Sequence, residues 1–489
     1  MKPITAVLSI EDAPEATAQR LAATDLVERI LLLVPPGQGG QRYVGRMVLD
    51  AIETSDPGSG STVHAILERT TTPGLLRLDG VVDPHPTALR RMLNVIEGTG
   101  AAMVFGDYVA ENADGSTTAI PLSDYLGGSL QDTFPFGPMQ LWSTSALKRA
   151  VATHGPVTER KVHGWYDARL KASHEGAFVR LAEPLATTKP RDVRRSGEKV
   201  FDYLTASREA QIEAEGIATE HLERIGARLT GPFETYVADG DWAVEASVVI
   251  PVRNRIRTVR DAVRSALSQT VDVSFNVIVV DNHSTDGTTE ALREIAATEP
   301  RLVHVTPERK DLGIGGCWNV AVFHPKVGRY VVQLDSDDLY QGNDTLQRMV
   351  SLLQSGCGLV VGSYTLVNME LNEIPPGLID HKEWTDDNGA NNALRIGGLG
   401  APRGYPTALL REAPFPNASY GEDYAAVLRA CRQYRIGRIY DSLYLCRRWE
   451  DNSDADLPPA TKARYQAYKD GVRTLEIAAR QRLLRQGDA

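Results

Sequence analysis

From Ala246 onward the chain alternates short apolar runs with amphipathic ones, and that alternation restricts its fold more than any other feature. ASVVIPV (residues 246–252) reads as a strand. Val259, Ala262, Val263, Ala266 and Leu267 follow at the spacing of one helix face. FNVIVVD (275–281) is a second strand, Leu292, Ile295 and Ala296 mark a second helix, and LVHV (302–305) is a third strand. Asn319 to Phe323 belong to a further helix before the next strand begins. Strands apolar on both faces, alternating with helices, imply a parallel sheet covered on both sides. Ligands of such sheets bind at the carboxyl ends of the strands. The polar clusters fall there: Arg253 and Asn254, the run from Asp281 to Asp286, and the acids of QLDSDD (333–338).

In QLDSDD an apolar run ends in Asp335, Asp337 and Asp338. A single Asp would suit a helix N-terminus. Three acids in four positions repel one another and point to a divalent cation, because hard cations take oxygen ligands. Magnesium or manganese is therefore expected, with Asp337 as the first ligand and coordination positions left for phosphate oxygens.

With 489 residues, more than one core is expected. The net charge of −10 speaks against nucleic-acid binding, and no apolar run reaches membrane-spanning length. The N-terminal stretch turns acidic too soon for a secretory leader. The four cysteines, Cys317, Cys357, Cys431 and Cys446, show no metal-type spacing. A cytoplasmic protein with reduced thiols is expected. No nucleic acid is expected as partner, and a homodimer stays open.

VVIPVRNR (248–255), VVDNHSTDGT (279–288), DLGIGGCWNVA (311–321), QLDSDD and YGEDYA (420–425) follow one another between about residues 246 and 452. In that order they resemble the motifs of the inverting family 2 glycosyltransferases, which have the GT-A fold. The resemblance implies a nucleotide-sugar donor, a UDP-sugar first with GDP open, and a glycan or other hydroxyl acceptor. It implies Asp335 and Asp337 as the acids at the metal, with Asp335 nearer the ribose, and Asp423 as general base. Asp281 would contact the nucleotide base, with Pro251, Arg253 and Asn254 against the base or ribose. Asp311 belongs to the same nucleotide set and could pair with a guanine edge. Arg447 and Arg448 could brace the diphosphate, since guanidinium forks suit phosphate oxygens, and Trp449 could stack on an acceptor sugar. The chemistry agrees: a departing diphosphate needs its charge met, and an acceptor hydroxyl needs a base.

Three positions depart from the family pattern: Asn282 replaces a common Asp, Asp311 a common Asn, and Trp318 a common Arg. No His stands near Arg447, so the metal is expected to have few protein ligands. An insertion at residues 370–404 falls on the acceptor side. It carries His381, Trp384, Asn391, Asn392 and Arg403, of which His381 and Trp384 are the acceptor candidates. Two rivals are a nucleotidyltransferase and a sugar-nucleotide-binding protein without transfer. IPVRNRIRTV lacks the glycine-rich loop of the first, and the intact Asp335, Asp337 and Asp423 speak against the second.

The first half reads as a decayed copy of the second. RLDGVV (77–82) aligns with QLDSDD, and FGDY (105–108) with VGSY (361–364). Leu78 and Leu334 lie 256 positions apart, as do Tyr108 and Tyr364. That register puts Val81 and Val82 where Asp337 and Asp338 stand, and HGWYDARLKA (163–172) brings Trp165 to the place of Asp423. The expected fold is α/β, with two GT-A-like domains. Residues 1–193 form a degenerate copy, 194–243 a helical connector, 244–455 the catalytic domain and 456–489 a C-terminal helix. Lys and Arg of that last helix are expected on a solvated face.

Overall fold

The computed structural model describes residues 2–12, 15–40, 42–45, 47–189, 208–382, 384–385, 387–449 and 457–487. Its contacts divide the chain into two units. One is Met1–Gly226 with Leu457–Ile477, the other Ala227–Asp456 with Ala478–Ala489. Residues 194–204, expected to open the connector, lie outside the described residues; the helix Arg208–Arg224 follows them.

The strands of the first unit are β1 (Ile4–Ser9), β2 (Val27–Val34), β3 (Arg42–Val44), β4 (Met47–Glu53), β5 (Gly74–Leu78), β6 (Val82–Pro84), β7 (Met103–Glu111), β8 (Thr117–Ile120), β9 (Met139–Ser143) and β10 (Phe178–Thr188). They form one sheet in the order β3-β4-β2-β1-β5-β9-β7-β10-β6, with β8 on β7. Successive side chains of a strand face opposite ways. Thus Ala6 and Leu8 enter one apolar cluster and Val7 another, and the sheet is buried on both faces.

The second unit has β11 (Ala246–Val252), β12 (Phe275–Asp281), β13 (Leu302–Val305), β14 (Tyr330–Gln333), β15 (Leu339–Tyr340), β16 (Leu359–Val367), β17 (Glu373–Ile379), β18 (Arg403–Pro406) and β19 (Ile436–Arg447). The order is β13-β12-β11-β14-β18-β16-β19-β15, with β17 on β16. Val248, Ile250, Val277 and Val279 are fully buried in its core. Burying each such side chain contributes roughly 1.5–3 kcal/mol.

The two sheets share one plan. Reading β4, β2, β1, β5, β9, β7, β10 and β6 as β13, β12, β11, β14, β18, β16, β19 and β15 turns one order into the other. The strand directions agree as well. β1 is parallel to β2 and β5, as β11 is to β12 and β14. β9 is antiparallel to β5 and β7, as β18 is to β14 and β16. β7 and β16 begin and end 256 positions apart, the separation read from the sequence. Both units carry the mixed α/β sheet of the expected fold class.

The C-terminal helix, Pro459–Gly487, corrects one expectation. Asp470, Arg473 and Arg480 are fully buried. Each charge has a partner that makes burial tolerable. Within the first unit, Arg473 pairs with Asp470 at 2.6 Å, and Ser129 Oγ donates to Asp470 at 2.9 Å. Gly128 permits this approach, because a Cβ there would strike the backbone of Asp470. Within the second unit, Arg480 donates to the Ala390 carbonyl at 2.7 Å.

Candidate active site

Three loops at the carboxyl ends of β11, β12 and β13 are tied to one another. Asn254 adopts a left-handed backbone (φ 54°), which Asn tolerates better than most residues. Its N–H donates to Ser284 Oγ at 2.9 Å, and its Oδ1 accepts from Thr285 N–H at 2.8 Å. Asp286 takes the N–H groups of Ile256 and Thr288, each at 3.0 Å. Asn282 Nδ2 donates to the Leu312 carbonyl at 2.9 Å. His283 Nε2 lies 2.9 Å from the Arg309 carbonyl.

Asp281 ends β12 and has no exposed surface. Its Oδ1 accepts from Ser284 N–H at 3.0 Å, and its Oδ2 meets Thr289 Oγ1 at 2.5 Å and His304 Nε2 at 3.4 Å. Burial opposes its charge, but these hydrogen bonds outweigh burial and hold the carboxyl well below the usual range. Expected against a nucleotide base, it also shapes the loop through these hydrogen bonds. Pro251 is half-buried at the end of β11, and Arg253 is exposed after it. Asp311 stands at the surface in a two-bond pair with Arg309, at 2.9 and 2.6 Å.

The acids after β14 fall into different surroundings. Gln333 Nε2 donates to both Asp335 oxygens, at 3.0 and 3.1 Å. Burial and the neighbouring Asp337 raise the Asp335 carboxyl above its ordinary value. Asp338 is buried, accepts from Arg447 N–H at 2.7 Å, and is raised further by burial and by Asp337 and Asp335. Asp337 is partly exposed, with Trp449 Nε1 at 3.4 Å and Arg255 Nε at 3.6 Å.

The tail of β19 is not arranged as expected. The Arg447 side chain is 3% exposed. Its Nε donates to the Asp337 carbonyl and its Nη1 lies 3.3 Å from Asp261. It braces the acidic loop from beneath, and so buried a guanidinium offers no fork to a diphosphate. Arg448 is half-buried, its N–H on the Val367 carbonyl at 2.8 Å. Trp449 lies under the guanidinium groups of Arg255 and Arg257, at 5.8 and 4.9 Å from its ring centre. It therefore belongs to the surroundings of Asp337. Arg255 and Arg257 of the VRNRIR loop, whose cluster of cations was the available signal, are the site residues that sequence reasoning missed.

Asp423 sits in the first turn of the helix Glu422–Gln433, where negative charge is favoured. Its Oδ1 accepts from Tyr424 N–H at 2.7 Å, and its Oδ2 pairs with Arg403 on β18 at 2.8 Å. Burial works against the Arg403 charge, but Asp423, Asp335 and Glu422 overcome it and hold the guanidinium above its ordinary pKa. Glu422 is buried, and burial with the nearby Asp423 pushes its carboxyl up to about 8. Its Oε2 and the Tyr405 hydroxyl are buried without a hydrogen-bond partner. These mutual influences bring QLDSDD and GED into one electrostatic field.

His381 and Trp384, expected to face an acceptor, are packed inside the unit. His381 lies 5.9 Å from the Tyr364 ring, and the Arg438 guanidinium covers Trp384 at 4.6 Å. A ring enclosed on both faces offers no stacking surface to a sugar.

Among the described residues, no three or more His, Cys, Asp or Glu side chains gather closely enough to hold a metal. Asp335 and Asp337 are oxygen donors of the right type, and the raised Asp335 carboxyl is what a nearby cation would relieve. They fit part of a divalent shell whose remainder would be phosphate oxygens and water.

Residues 247–415 match the family model described as "Glycosyl transferase family 2", so the second unit carries a family 2 glycosyltransferase domain. The match ends before GED, which therefore rests on geometry. Among curated proteins, the chain is 26% identical over 154 residues to the "Putative teichuronic acid biosynthesis glycosyltransferase TuaG" of Bacillus subtilis, covering 32% of this chain and 60% of that protein. It is 38% identical over 95 residues to an Escherichia coli "Chondroitin synthase", covering 19% and 13%. It is 27% identical over 122 residues to the Escherichia coli "UDP-Glc:alpha-D-GlcNAc-diphosphoundecaprenol beta-1,3-glucosyltransferase WfgD", covering 25% and 46%. Less than two thirds of each of these relatives is spanned. Among solved structures, Staphylococcus aureus TarS with UDP-GlcNAc aligns at a TM-score of 0.37 and 22% identity, over 48% of this chain and 72% of that one. The Pyrobaculum calidifontis mannosyltransferase PcManGT aligns at 0.33 and 21%, over 56% and 84%. Scores this low carry no argument, and the fold stands on the strand order.

Proposed function

We propose that the second unit transfers a sugar, with inversion at the anomeric carbon, from a nucleoside-diphosphate sugar to an acceptor hydroxyl. The observation that carries this reading is the pairing of two carboxylate sites in one field: Asp335 and Asp337 at a strand end, and Asp423 held at a helix start by Arg403. Asp423 takes the proton of the acceptor hydroxyl. The freed oxygen bonds to the anomeric carbon from the face opposite the leaving group, and the bond from that carbon to the diphosphate breaks. Arg255 and Arg257 bring positive charge toward the departing oxygens. Asp335 and Asp337 would hold Mn2+ or Mg2+, which when bound supplies charge neutralisation to the diphosphate.

A UDP-sugar is the donor we favour, in keeping with the name of the WfgD relative; a GDP-sugar is the second choice. The first unit keeps the sheet without the chemistry, because Val81 and Val82 have no side-chain oxygen to offer a cation. No helix among the described residues is long and apolar enough to cross a membrane.

Asp423→Asn tests the reading. Donor binding is expected to stay near the parent value while turnover falls roughly 10²-fold or more, the range for a lost general base. Unchanged turnover removes Asp423 from that role, and a product of retained configuration rejects inversion.

A further inference from the structure

The two units share a register fine enough to compare one cross-strand site in both. In the first unit Phe105 on β7 pairs with Gln140 on β9, and Gln140 also pairs with Arg77 on β5. In the second unit Val361 on β16 pairs with Arg403 on β18. Phe105 and Val361 are 256 positions apart, so Gln140 stands where Arg403 stands. By the same separation Arg77 stands where Gln333 stands. The two residue types are exchanged between strands.

Their partners are exchanged too. Trp165 and Asp423 are each the second residue of corresponding helices, Gly164–Ala172 and Glu422–Gln433. In the first unit the Arg77 guanidinium lies 5.0 Å over the Trp165 ring. In the second, Arg403 reaches Asp423 and also donates to the Gly400 carbonyl at 2.6 Å, while Gln333 is spent on Asp335. An arginine on the β18 strand thus goes with a carboxylate at the helix start. Where the carboxylate is an indole, the β9 strand carries an amide.

With Oδ1 on the Tyr424 amide and Oδ2 on Arg403, the Asp423 carboxylate cannot turn. About a third of its side chain stays exposed, and that part is what an acceptor can approach. We propose that Arg403 is a positioning residue for transfer: it fixes the Asp423 carboxylate in the orientation that meets the acceptor hydroxyl. This rests on the proposed function and adds to it a residue that touches neither donor nor acceptor.

The test is a double-mutant cycle on the full chain with Arg403→Gln and Asp423→Asn, read as kcat and donor KM from nucleotide release with acceptor present. Arg403→Gln is expected to lower kcat roughly 10- to 100-fold with donor KM changed less than about threefold. In the Asp423→Asn background the same change is expected to cost less than about threefold, because a residue acting through Asp423 has nothing left to position. Equal losses in both backgrounds overturn the proposal, as does a raised donor KM at unchanged kcat. If Arg403→Gln does not fold by circular dichroism, Arg403→Lys runs through the same cycle, since it keeps the charge but not the two-armed contact. Parental kcat in Arg403→Lys then overturns the role. A parent that binds nucleotide with Mn2+ yet releases none from any donor fails the proposed function itself.

Discussion

Replacing Glu422 by Gln is expected to make the second unit more stable as pH rises, and the size of the effect follows from the burial of this carboxyl. An unfolded glutamate titrates near 4.3, whereas in the fold burial and Asp423 push Glu422 up to about 8. The folded-state value is raised. The stability tied to this group is therefore fully present below pH 4.3 and is lost as pH rises toward 8. Each pH unit in that window costs about 1.4 kcal/mol. Between pH 4.5 and 7 the loss sums to about 3 kcal/mol. A Gln cannot ionise, so Glu422→Gln should escape it. The amide brings two donors into a pocket where Oε2 has no partner, which costs roughly 1–2 kcal/mol at every pH. The variant should be slightly less stable than the parent at pH 4.5 and more stable at pH 7. Urea unfolding of both proteins in chelator at pH 4.5, 5.5 and 7 measures the difference. A difference that stays flat to within 1 kcal/mol across that range would refute the reasoning. A carboxyl retained at such a cost is the pattern of a group kept for function.

Asp337→Ala is expected to remove the enhancement of nucleotide binding by manganese, measured by calorimetry; equal enhancement in variant and parent would take the metal from Asp337. The parent is expected to bind one metal–nucleotide per chain, because Val81 and Val82 take the places of Asp337 and Asp338 and leave only Asp79, at the place of Asp335, and a stoichiometry of two would contradict the loss of that site. In the first unit, burial together with His174, Arg224 and Arg169 pushes His221 down to about 3. The unfolded ring takes a proton below pH 6.5 and the folded one does not, so stability should fall by about 2 kcal/mol between pH 7 and 5. His221→Leu should abolish that part of the loss, and urea titrations at the two pH values compare them.

The strand–helix alternation was legible because fully buried parallel strands are apolar without interruption: residues 246–252 and 275–281 match β11 and β12 to the residue. The duplication was legible because β7 and β16 keep one separation. β18 was not. RGYP is four residues long, carries Gly and Pro, and arrives from an insertion after β16, yet it lies in the sheet between β14 and β16. Nothing local marks it as a strand, so Arg403 read as one of the insertion's polar groups rather than the partner of Asp423. His381, Trp384 and Arg447 were misjudged for a related reason. Residue type suggests what a side chain can touch, but only packing decides whether a ligand can reach it, and these three are enclosed.

If the second unit acts as proposed, the ties among the loops after β11, β12 and β13 bear on how its donor preference can change. Asn254 holds Ser284 and Thr285, Asn282 holds Leu312, and His283 meets Arg309. A substitution in any one of these loops shifts the rim of the other two. Their effects are then coupled rather than additive, and single exchanges would mostly loosen the rim before they re-shape it. A new nucleotide preference is more accessible by replacing the three loops together, as a cassette, than by a walk of point mutations.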